Sequence, residues 1–199
     1  MARPPILLAS ASPRRSALLR QIDVDHDVRP VDIDETPRTG EPPAQYALRL
    51  AEEKARVLWQ RLEPAERRPV LAADTTVAIG LEILDKPLDR EDAARILARL
   101  SGRAHEVHTA VALLHDGGAD ARVSTSTVTF RDMSAAEIEW YWRTGEPADK
   151  AGAYAVQGHG AIFIRHLAGS YSGVMGLPLY ETWELLAPLL GLNGREGAA

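Results

Sequence analysis

Residues 6–19 read Ile6-Leu7-Leu8-Ala9-Ser10-Ala11-Ser12-Pro13-Arg14-Arg15-Ser16-Ala17-Leu18-Leu19. The apolar run at the start of this segment is short enough to be a buried strand, and it gives way to small residues and then to a helix. Ser12 is a favourable N-cap residue, and Pro13 suits the first helical position because the N–H that it lacks would be unpaired there. The segment therefore predicts a strand, a small-residue turn and a helix that begins at Pro13.

Two arginines, Arg14 and Arg15, occupy the first turn of this predicted helix. The helix dipole disfavours cations at that end by about 0.3–1 kcal/mol each. Free backbone N–H groups beside two guanidinium groups are, however, well suited to bind an anion, above all a phosphate. The alternative is a surface helix that carries arginine only because the whole chain is rich in it. These residues alone do not decide between the two interpretations.

The composition of the 199-residue chain excludes several classes of protein. A net charge of −5 without a basic tail or stripe argues against a protein that coats nucleic acid. The chain has no cysteine, which excludes disulfides, thiolate catalysis and cysteine-based metal sites. The apolar run near the N-terminus is too short for a signal-peptide core, and no apolar stretch approaches the ~18 residues of a membrane span. We therefore expect a cytoplasmic protein that does not bind membranes.

The choice of basic residue is strongly biased. Of 23 basic residues, three are lysine (Lys54, Lys86 and Lys150) and the other 20 are arginine. The three lysines are therefore candidates for positions where a compact ammonium is required and a planar guanidinium would not fit. The alternative is that their positions carry no meaning.

Apolar periodicity and turn residues outline the elements along the chain. Helices are predicted over residues 13–22, 43–62, 89–100, 134–144 and 178–190, and strands over 6–9, 24–31, 70–73, 105–114, 121–130 and 161–166, with residues 75–79 continuing extended into a turn at Gly80. The turn Asp116-Gly117-Gly118 predicts an antiparallel hairpin. This mixture indicates an α/β or α+β fold around a mixed sheet, with loops near 32–42 and 145–160 as walls of a cleft. We expect one domain over residues 1–192 and a frayed tail over 193–199.

Carboxylates are the first candidates for chemistry. Asp74 is predicted to end a short apolar strand, which is the usual place for a functional side chain in α/β folds, although it could instead bond the Thr75 and Thr76 amides in a turn. Asp34 and Glu35 lie in an acidic loop. Glu35 and Asp74 together offer the oxygen ligands that a hard divalent cation prefers beside phosphates, and a solvated acidic loop is the alternative.

Polar and aromatic side chains elsewhere in the chain are further candidates for a functional role. Lys86, in the constrained turn Asp85-Lys86-Pro87, is well placed to reach a phosphate, and Gln157, in a glycine-rich run, offers an amide that can recognise a base edge. His105 and His108 are three apart in a predicted strand, so they face opposite sides and make a poor metal pair. The serines Ser10, Ser12 and Ser16 lack partners for a nucleophilic triad. The four tryptophans, Trp59, Trp140, Trp142 and Trp183, lie at helical positions and are expected in the core.

Six blocks of this sequence resemble the Maf family of nucleoside triphosphate pyrophosphatases, also known as septum formation inhibitors. The resemblance runs from residue 6 to about residue 190. Its blocks are Leu8-Ala9-Ser10-Ala11-Ser12-Pro13-Arg14-Arg15, Ala73-Asp74-Thr75, Asp85-Lys86-Pro87, Leu100-Ser101-Gly102-Arg103, Asp149-Lys150-Ala151-Gly152-Ala153-Tyr154 and Gly173-Val174-Met175-Gly176-Leu177-Pro178. Six blocks in the same order are too many for a chance similarity.

The resemblance implies a mixed twisted sheet flanked by helices, in two lobes around a cleft, as in inosine triphosphate pyrophosphatases. It implies hydrolysis of a nucleoside triphosphate between the α and β phosphates, with Asp74 as the general base. Further implied are a Mg²⁺ or Mn²⁺ ion on Glu35 and Asp74, and a substrate site lined by Ser12, Arg14, Arg15, Lys54, Lys86 and Gln157. It does not settle the oligomeric state, and a homodimer stays open.

Within the family, Arg14, Thr75 and Gln157 match the subgroup that acts on dTTP and UTP, some members of which also accept modified pyrimidine nucleotides. One alternative is the sister subgroup, which acts on 7-methyl-GTP. The other is a non-catalytic nucleotide-binding protein that regulates septum formation. The second is disfavoured because a pure phosphate binder gains nothing from the carboxylates of Glu35 and Asp74.

Overall fold

A mixed sheet of seven strands forms the centre of the protein in the computed structural model, which describes residues 5–192. The strands are β1 (Ile6–Leu8), β2 (His26–Val28), β3 (Val70–Ile79), β4 (Glu82–Leu84), β5 (Ala104–His115), β6 (Gly118–Phe130) and β7 (Ile164–Ala168). Their order is β2-β1-β3-β5-β6-β7, with β4 beside β3. The strands β1, β2 and β3 are parallel to one another, whereas β3, β5, β6 and β7 alternate in direction. The predicted mixed α/β fold is therefore confirmed.

Helices cover both faces of this sheet. They are α1 (Pro13–Gln21), α2 (Pro43–Arg61), α3 (Arg90–Leu100), α4 (Ala135–Arg143), α5 (Tyr171–Met175) and α6 (Leu179–Leu190). The five predicted helices are confirmed to within a few residues, and the short α5 was not predicted. The tail predicted for residues 193–199 lies outside the described residues. No helix in the described part of the chain is long and apolar enough to cross a membrane.

The prediction that a strand ends at Asp74 is wrong, whereas the prediction that residues 75–79 are extended is confirmed. β3 continues for ten residues and pairs with β5 from Val70 to Ala78. On its other edge β3 pairs with β1 only at Val70 and Leu71, and with β4 only from Val77 onward. Between these contacts one edge of β3 has no strand partner among residues 5–192. Asp74 lies in that gap, so the sheet opens at Asp74 although the strand itself does not end.

Other predicted strand boundaries also shift. β2 is only three residues long, rather than the predicted 24–31, because its partner β1 ends at Leu8, where Ser10 N turns back to the Leu8 carbonyl (2.9 Å) and leaves no further ladder to pair with. β7 begins at Ile164 rather than at residue 161, since the chain before it forms a 3₁₀ turn, His159–Phe163. The hairpin predicted at Asp116 is confirmed, with His115 paired to Gly118 across the turn.

Buried side chains form three clusters that build two lobes. One cluster packs α2 on the sheet face that carries Ala72 and Ala110. A second packs α1 and α6 on the opposite face, around Leu71 and Val111. The third joins α3 and α4 to the far ends of the long strands and centres on Phe130. The first two clusters make one lobe and the third makes the other, and the open edge of β3 lies between them.

The prediction that the tryptophans belong to the core is wrong for Trp140 and Trp183. Their exposed fractions are 45% and 38%. The helical faces that turn inward present other side chains, among them Tyr141 on α4 and Leu186 on α6, both fully buried. Helical spacing alone does not identify the buried face of a short helix when apolar residues occur on more than one side.

Candidate active site

A cleft of about 790 Å³ opens between the two lobes at the gap beside β3. A volume of this size is typical of small-molecule sites. All nine residues that the family resemblance assigns to the site line it, although they come from six separate parts of the chain. They are Ser12, Arg14, Arg15, Glu35, Lys54, Asp74, Thr75, Lys86 and Gln157. The third lysine, Lys150, lines the same cleft, so the bias toward arginine elsewhere in the chain does single out cleft positions.

Lys54 joins the two candidate carboxylates. Its Nζ lies 2.6 Å from Glu35 Oε1 and 2.7 Å from Asp74 Oδ1. Helix α2 presents Lys54 from the sheet face on which Asp74 lies, and Tyr46 on the same helix donates a hydrogen bond to the Glu35 carbonyl (2.7 Å). The acidic loop is therefore anchored to α2 at the point where its carboxylate meets the ammonium.

The electrostatics of this group depend on a shared cation. Burial works to raise the pKa of the Glu35 carboxyl, but the hydrogen bond and charge of Lys54, with Lys86 and Arg15 farther away, lower it below its ordinary value. Burial and the charges of Glu35 and Asp74 raise the pKa of Asp85, which lines the same cleft. Three carboxylates thus act on one another here, and Lys54 neutralises only part of their charge.

Arg15 connects the start of α1 with two distant segments. Its Nε donates to the Gly176 carbonyl (2.8 Å), and its terminal nitrogens donate to Ser10 Oγ (3.0 Å) and Thr75 Oγ1 (3.3 Å). Thr75 also shares a hydrogen bond with Thr109 (3.1 Å). Three of the five guanidinium N–H groups are therefore bound within the protein, and two remain for a ligand. Arg15 therefore links the start of α1 to the segments of Thr75 and Gly176, and it is also a candidate phosphate contact.

Arg14 and Ser12 are less constrained. Arg14 makes one hydrogen bond, from its Nε to the Met175 carbonyl (3.3 Å), so most of its guanidinium donors are available. Ser12 holds the N-cap position of α1 as predicted, but its hydroxyl makes no capping hydrogen bond. Both side chains line the cleft at the start of a helix, where an anion is electrostatically favoured.

The opposite wall carries Lys86, Lys150 and Gln157. Lys86 and Gln157 are exposed at the cleft, whereas Lys150 is paired with Asp149. The lining as a whole contains five cations and five carboxylates. They are Arg14, Arg15, Lys54, Lys86 and Lys150, against Asp32, Glu35, Asp74, Asp85 and Asp149. The cleft is thus formally neutral, so a polyanionic ligand bound there would require added positive charge.

The donor set fits a hard divalent cation on Glu35 and Asp74. Both carboxylates already converge on one cation, the Lys54 ammonium, and oxygen ligands suit Mg²⁺ and Mn²⁺. Over residues 5–192 the structure contains no group of three or more His, Cys, Asp or Glu side chains that would hold a metal. Any such ion therefore takes its remaining ligands from substrate or water, as is usual for Mg²⁺.

Three contributors to the site were missed from the sequence. Tyr46 anchors the acidic loop, Thr109 bonds the Gly173 carbonyl (2.8 Å) beside Thr75, and Asp85 adds a third carboxylate. Of these three, only Asp85 could have been recognised from the sequence, since it precedes Lys86 in the motif block Asp85-Lys86-Pro87. Asp34 is structural instead, because its carboxylate accepts a hydrogen bond from Thr36 N (2.9 Å) in a local turn.

The family to which the chain belongs follows from its match to a model of a known protein family. The model of the Maf-like protein family matches residues 5–189. The chain belongs to the Maf-like family. All six motif blocks of the family resemblance lie inside the matched range, and so does every residue of the cleft lining.

Individual relatives of this Maf-like chain are similar over nearly its whole length. A dTTP/UTP pyrophosphatase of Pseudoalteromonas atlantica is 49% identical over 183 residues, covering 92% of this chain and 95% of that protein. A dTTP/UTP pyrophosphatase of Myxococcus xanthus is 52% identical over 186 residues, covering 91% and 90%. Among solved structures, the Staphylococcus aureus Ham1 protein matches 94% of this chain and 98% of its own at TM-score 0.49 and 14% identity.

Proposed function

We propose that this Maf-like protein hydrolyses dTTP and UTP, and modified pyrimidine triphosphates, to the monophosphate and pyrophosphate. Relatives about half identical to it over nine-tenths of its length carry the name dTTP/UTP pyrophosphatase. The observation that carries the proposal is the contact of Lys54 with both Glu35 and Asp74 in a cleft that Arg14 and Arg15 also line. Such an enzyme removes unwanted nucleotides from the cytoplasmic pool, a location that the absence of cysteine also favours.

In the proposed mechanism Asp74 orients a water molecule and accepts its proton. The water oxygen attacks the α-phosphorus, the bond from that phosphorus to the bridging oxygen breaks, and pyrophosphate leaves with the electron pair. General-base assistance of this kind contributes about 10²–10⁴-fold to a rate. Arg14, the free donors of Arg15 and Lys86 stabilise the charge on the phosphate oxygens, in preorganised positions that need no rearrangement during the reaction.

A Mg²⁺ or Mn²⁺ ion would be held by Glu35 and Asp74 in the loaded enzyme. When bound, it supplies positive charge to a triphosphate and polarises its phosphoryl group. The formal neutrality of the cleft lining and the convergence of both carboxylates on one ammonium support this assignment.

Selection of the base is assigned to Gln157, with Arg14 and Thr75. The Gln157 side chain is exposed at the cleft, and its amide can donate to and accept from a pyrimidine edge. Thr75 contributes by holding Arg15, since its hydroxyl is bonded to that guanidinium and to Thr109.

The test is pyrophosphate release from dTTP, UTP, CTP, 5-methyl-UTP and 7-methyl-GTP with Mg²⁺ or Mn²⁺. We expect release from dTTP and UTP, and we expect Asp74→Asn to keep the fold by circular dichroism while release falls below one hundredth of wild type. Asp116→Asn, on the exposed hairpin turn, is the matched control and should keep full activity. Near-wild-type turnover by Asp74→Asn would overturn the mechanism.

The same panel separates the other two candidate functions. Release from 7-methyl-GTP alone would assign the chain to the sister subgroup. Release from no nucleotide, together with nucleotide binding, would favour a non-catalytic septum-regulating protein.

A further inference from the structure

The loop that carries Gln157 is held on both sides by a hydrogen-bonded pair, Glu146 and Tyr141. Glu146 accepts a hydrogen bond from His159 N through Oε2 (2.9 Å) and another from Gly160 N through Oε1 (3.0 Å). The hydroxyl of Tyr141 donates to the same Oε1 (2.6 Å) and accepts from Ala155 N (3.1 Å). Gln157 therefore lies midway between two anchored points, at residues 155 and 159.

The packing around this carboxylate leaves no space between it and the loop. A Cβ at Gly158 would lie 1.9 Å from Glu146 Oε2, and a Cβ at Gly160 would lie 2.6 Å from the Tyr141 oxygen. Glycine at these two positions thus permits the close approach of Glu146 and Tyr141 to the backbone. The same glycines make an unanchored loop costly to order, because glycine loses the most conformational entropy on folding.

The charge states of Glu146 and Tyr141 suit these side chains to anchor the loop. Burial works to raise the pKa of Glu146, but its hydrogen bonds from Tyr141, Gly160 and His159 lower the pKa on balance, so the group stays a carboxylate. Burial and Glu146 raise the pKa of Tyr141, so its hydroxyl keeps the proton that it donates. Hydrogen bonds to an ionised acceptor are about twice as strong as neutral ones.

We propose that Glu146, acting with Tyr141, is a positioning residue that holds Gln157 in place for recognition of the pyrimidine base. This inference rests on the proposed function, since it takes Gln157 as the residue that contacts the base. Glu146 makes no contact with Asp74, Lys54 or Glu35 among its described hydrogen bonds and ion pairs. Its loss therefore weakens recognition of the base far more than the chemical step.

The test compares Glu146→Gln and Tyr141→Phe with wild type. Glutamine has one acceptor oxygen where the loop requires two, so Glu146→Gln loses the anchor at residue 159 or at residue 160. Tyr141→Phe keeps the buried ring and loses the anchor at residue 155. Glu139→Gln, which removes a carboxylate that pairs with Arg90 and Arg143 on the surface of α4, is the matched control.

For Glu146→Gln we expect KM for dTTP to rise about tenfold, because a loss of this size corresponds to one charge-assisted hydrogen bond. We expect kcat to change less than about threefold. Amide hydrogen exchange at His159 and Gly160 should accelerate in the free protein. The preference for dTTP over CTP should fall. Tyr141→Phe should show a smaller loss of the same kind, and Glu139→Gln none.

Unchanged exchange at His159 and Gly160, or a loss in kcat with KM unaltered, would overturn the proposal. Gln157→Ala distinguishes it from the proposed function. If Gln157→Ala keeps the dTTP preference, the assignment of Gln157 fails, and the exchange data still decide whether Glu146 holds the loop.

Discussion

Among single residues, Lys54 has the most demanding position in the protein. Its ammonium lies within hydrogen-bond distance of Glu35 and Asp74 at once, and its side chain is largely buried. An ammonium is a compact point charge, whereas a guanidinium is a planar fork that matches one carboxylate side-on. A chain that uses arginine at 20 of 23 basic positions nevertheless has lysine here. The geometry explains this choice, because two carboxylates converge on a single nitrogen.

The substitution Lys54→Arg should therefore lower the activity although it keeps the positive charge. The larger guanidinium displaces Glu35 or Asp74, and a displacement of about 1 Å at reacting groups costs on the order of 10²-fold in rate. We expect kcat/KM for dTTP to fall by that order. The control is Arg56→Lys on the exposed side of the same helix, which should keep wild-type kcat/KM. Full activity of Lys54→Arg would show that the shared ammonium is dispensable.

At the level of elements, three helix starts differ in what their capping residues do. Asp89 accepts a hydrogen bond from Asp92 N (2.8 Å) at the start of α3. Ser134 and Glu137 form a complete capping box at the start of α4. Ser12 stands at the same position of α1 but makes no capping bond, and it lines the cleft. The N-terminus of α1 thus keeps its donors for a ligand, whereas those of α3 and α4 serve the fold.

Ser12→Ala and Ser134→Ala should accordingly have opposite effects. Ser134→Ala loses a capping bond and should lower the free energy of unfolding by about 1 kcal/mol without a change in KM. Ser12→Ala loses no internal bond and should leave the unfolding free energy unchanged, while KM for dTTP rises about tenfold, as expected for one hydrogen bond to a charged phosphate. Urea unfolding and steady-state kinetics on both variants measure the two effects. A destabilised Ser12→Ala with normal KM would make Ser12 a structural cap.

At the scale of the whole molecule, the lobe that centres on Phe130 contains a buried histidine, His105. His105 lies between Phe130 and Tyr154, with ring centroids 5.1 and 5.4 Å away, and its Nε2 shares a hydrogen bond with the Tyr154 hydroxyl (2.8 Å). Its Nδ1 is buried without a hydrogen-bond partner in the described part of the chain. Burial lowers the pKa of His105 to about 4. Protonation would place an unpaired charge inside this lobe.

The protein should lose stability in acid because of this group. The folded pKa of about 4 lies below the ordinary 6.5, so the unfolded chain binds more protons between these values. The contribution of neutral His105 to the free energy of unfolding is complete above pH 6.5. It is lost as the pH falls to 4, and the total loss is about 3 kcal/mol. We expect urea unfolding of His105→Gln to depend less on pH over this window than that of wild type. His166→Gln, on an exposed position of β7, should retain the wild-type dependence. Equal pH dependence for wild type and His105→Gln would contradict the prediction.

Much of the architecture could be predicted locally. Pro13 at a first helical position, the capping box at Ser134 and the turn at Asp116 all lie where the sequence places them, because each depends on neighbouring residues. The choice of cleft residues also depended on residue type, through carboxylates, lysines and the arginine pair. Strand ends were less predictable. The end of β3 depends on partners elsewhere in the chain, and nothing near Asp74 shows that β1 has already ended.

The sequence by itself determined the order of the strands and helices apart from β4 and α5, the residue types available for phosphate chemistry and the family to which the chain belongs. Only the tertiary structure decided that Lys54 bridges Glu35 and Asp74, that Arg15 bonds Gly176 from 161 positions away, and that Glu146 anchors the loop of Gln157. The physical reason is the range of the interactions. Helix starts and turns are set by residues within a few positions, whereas these contacts form only when burial of three apolar clusters brings distant segments to the open edge of β3.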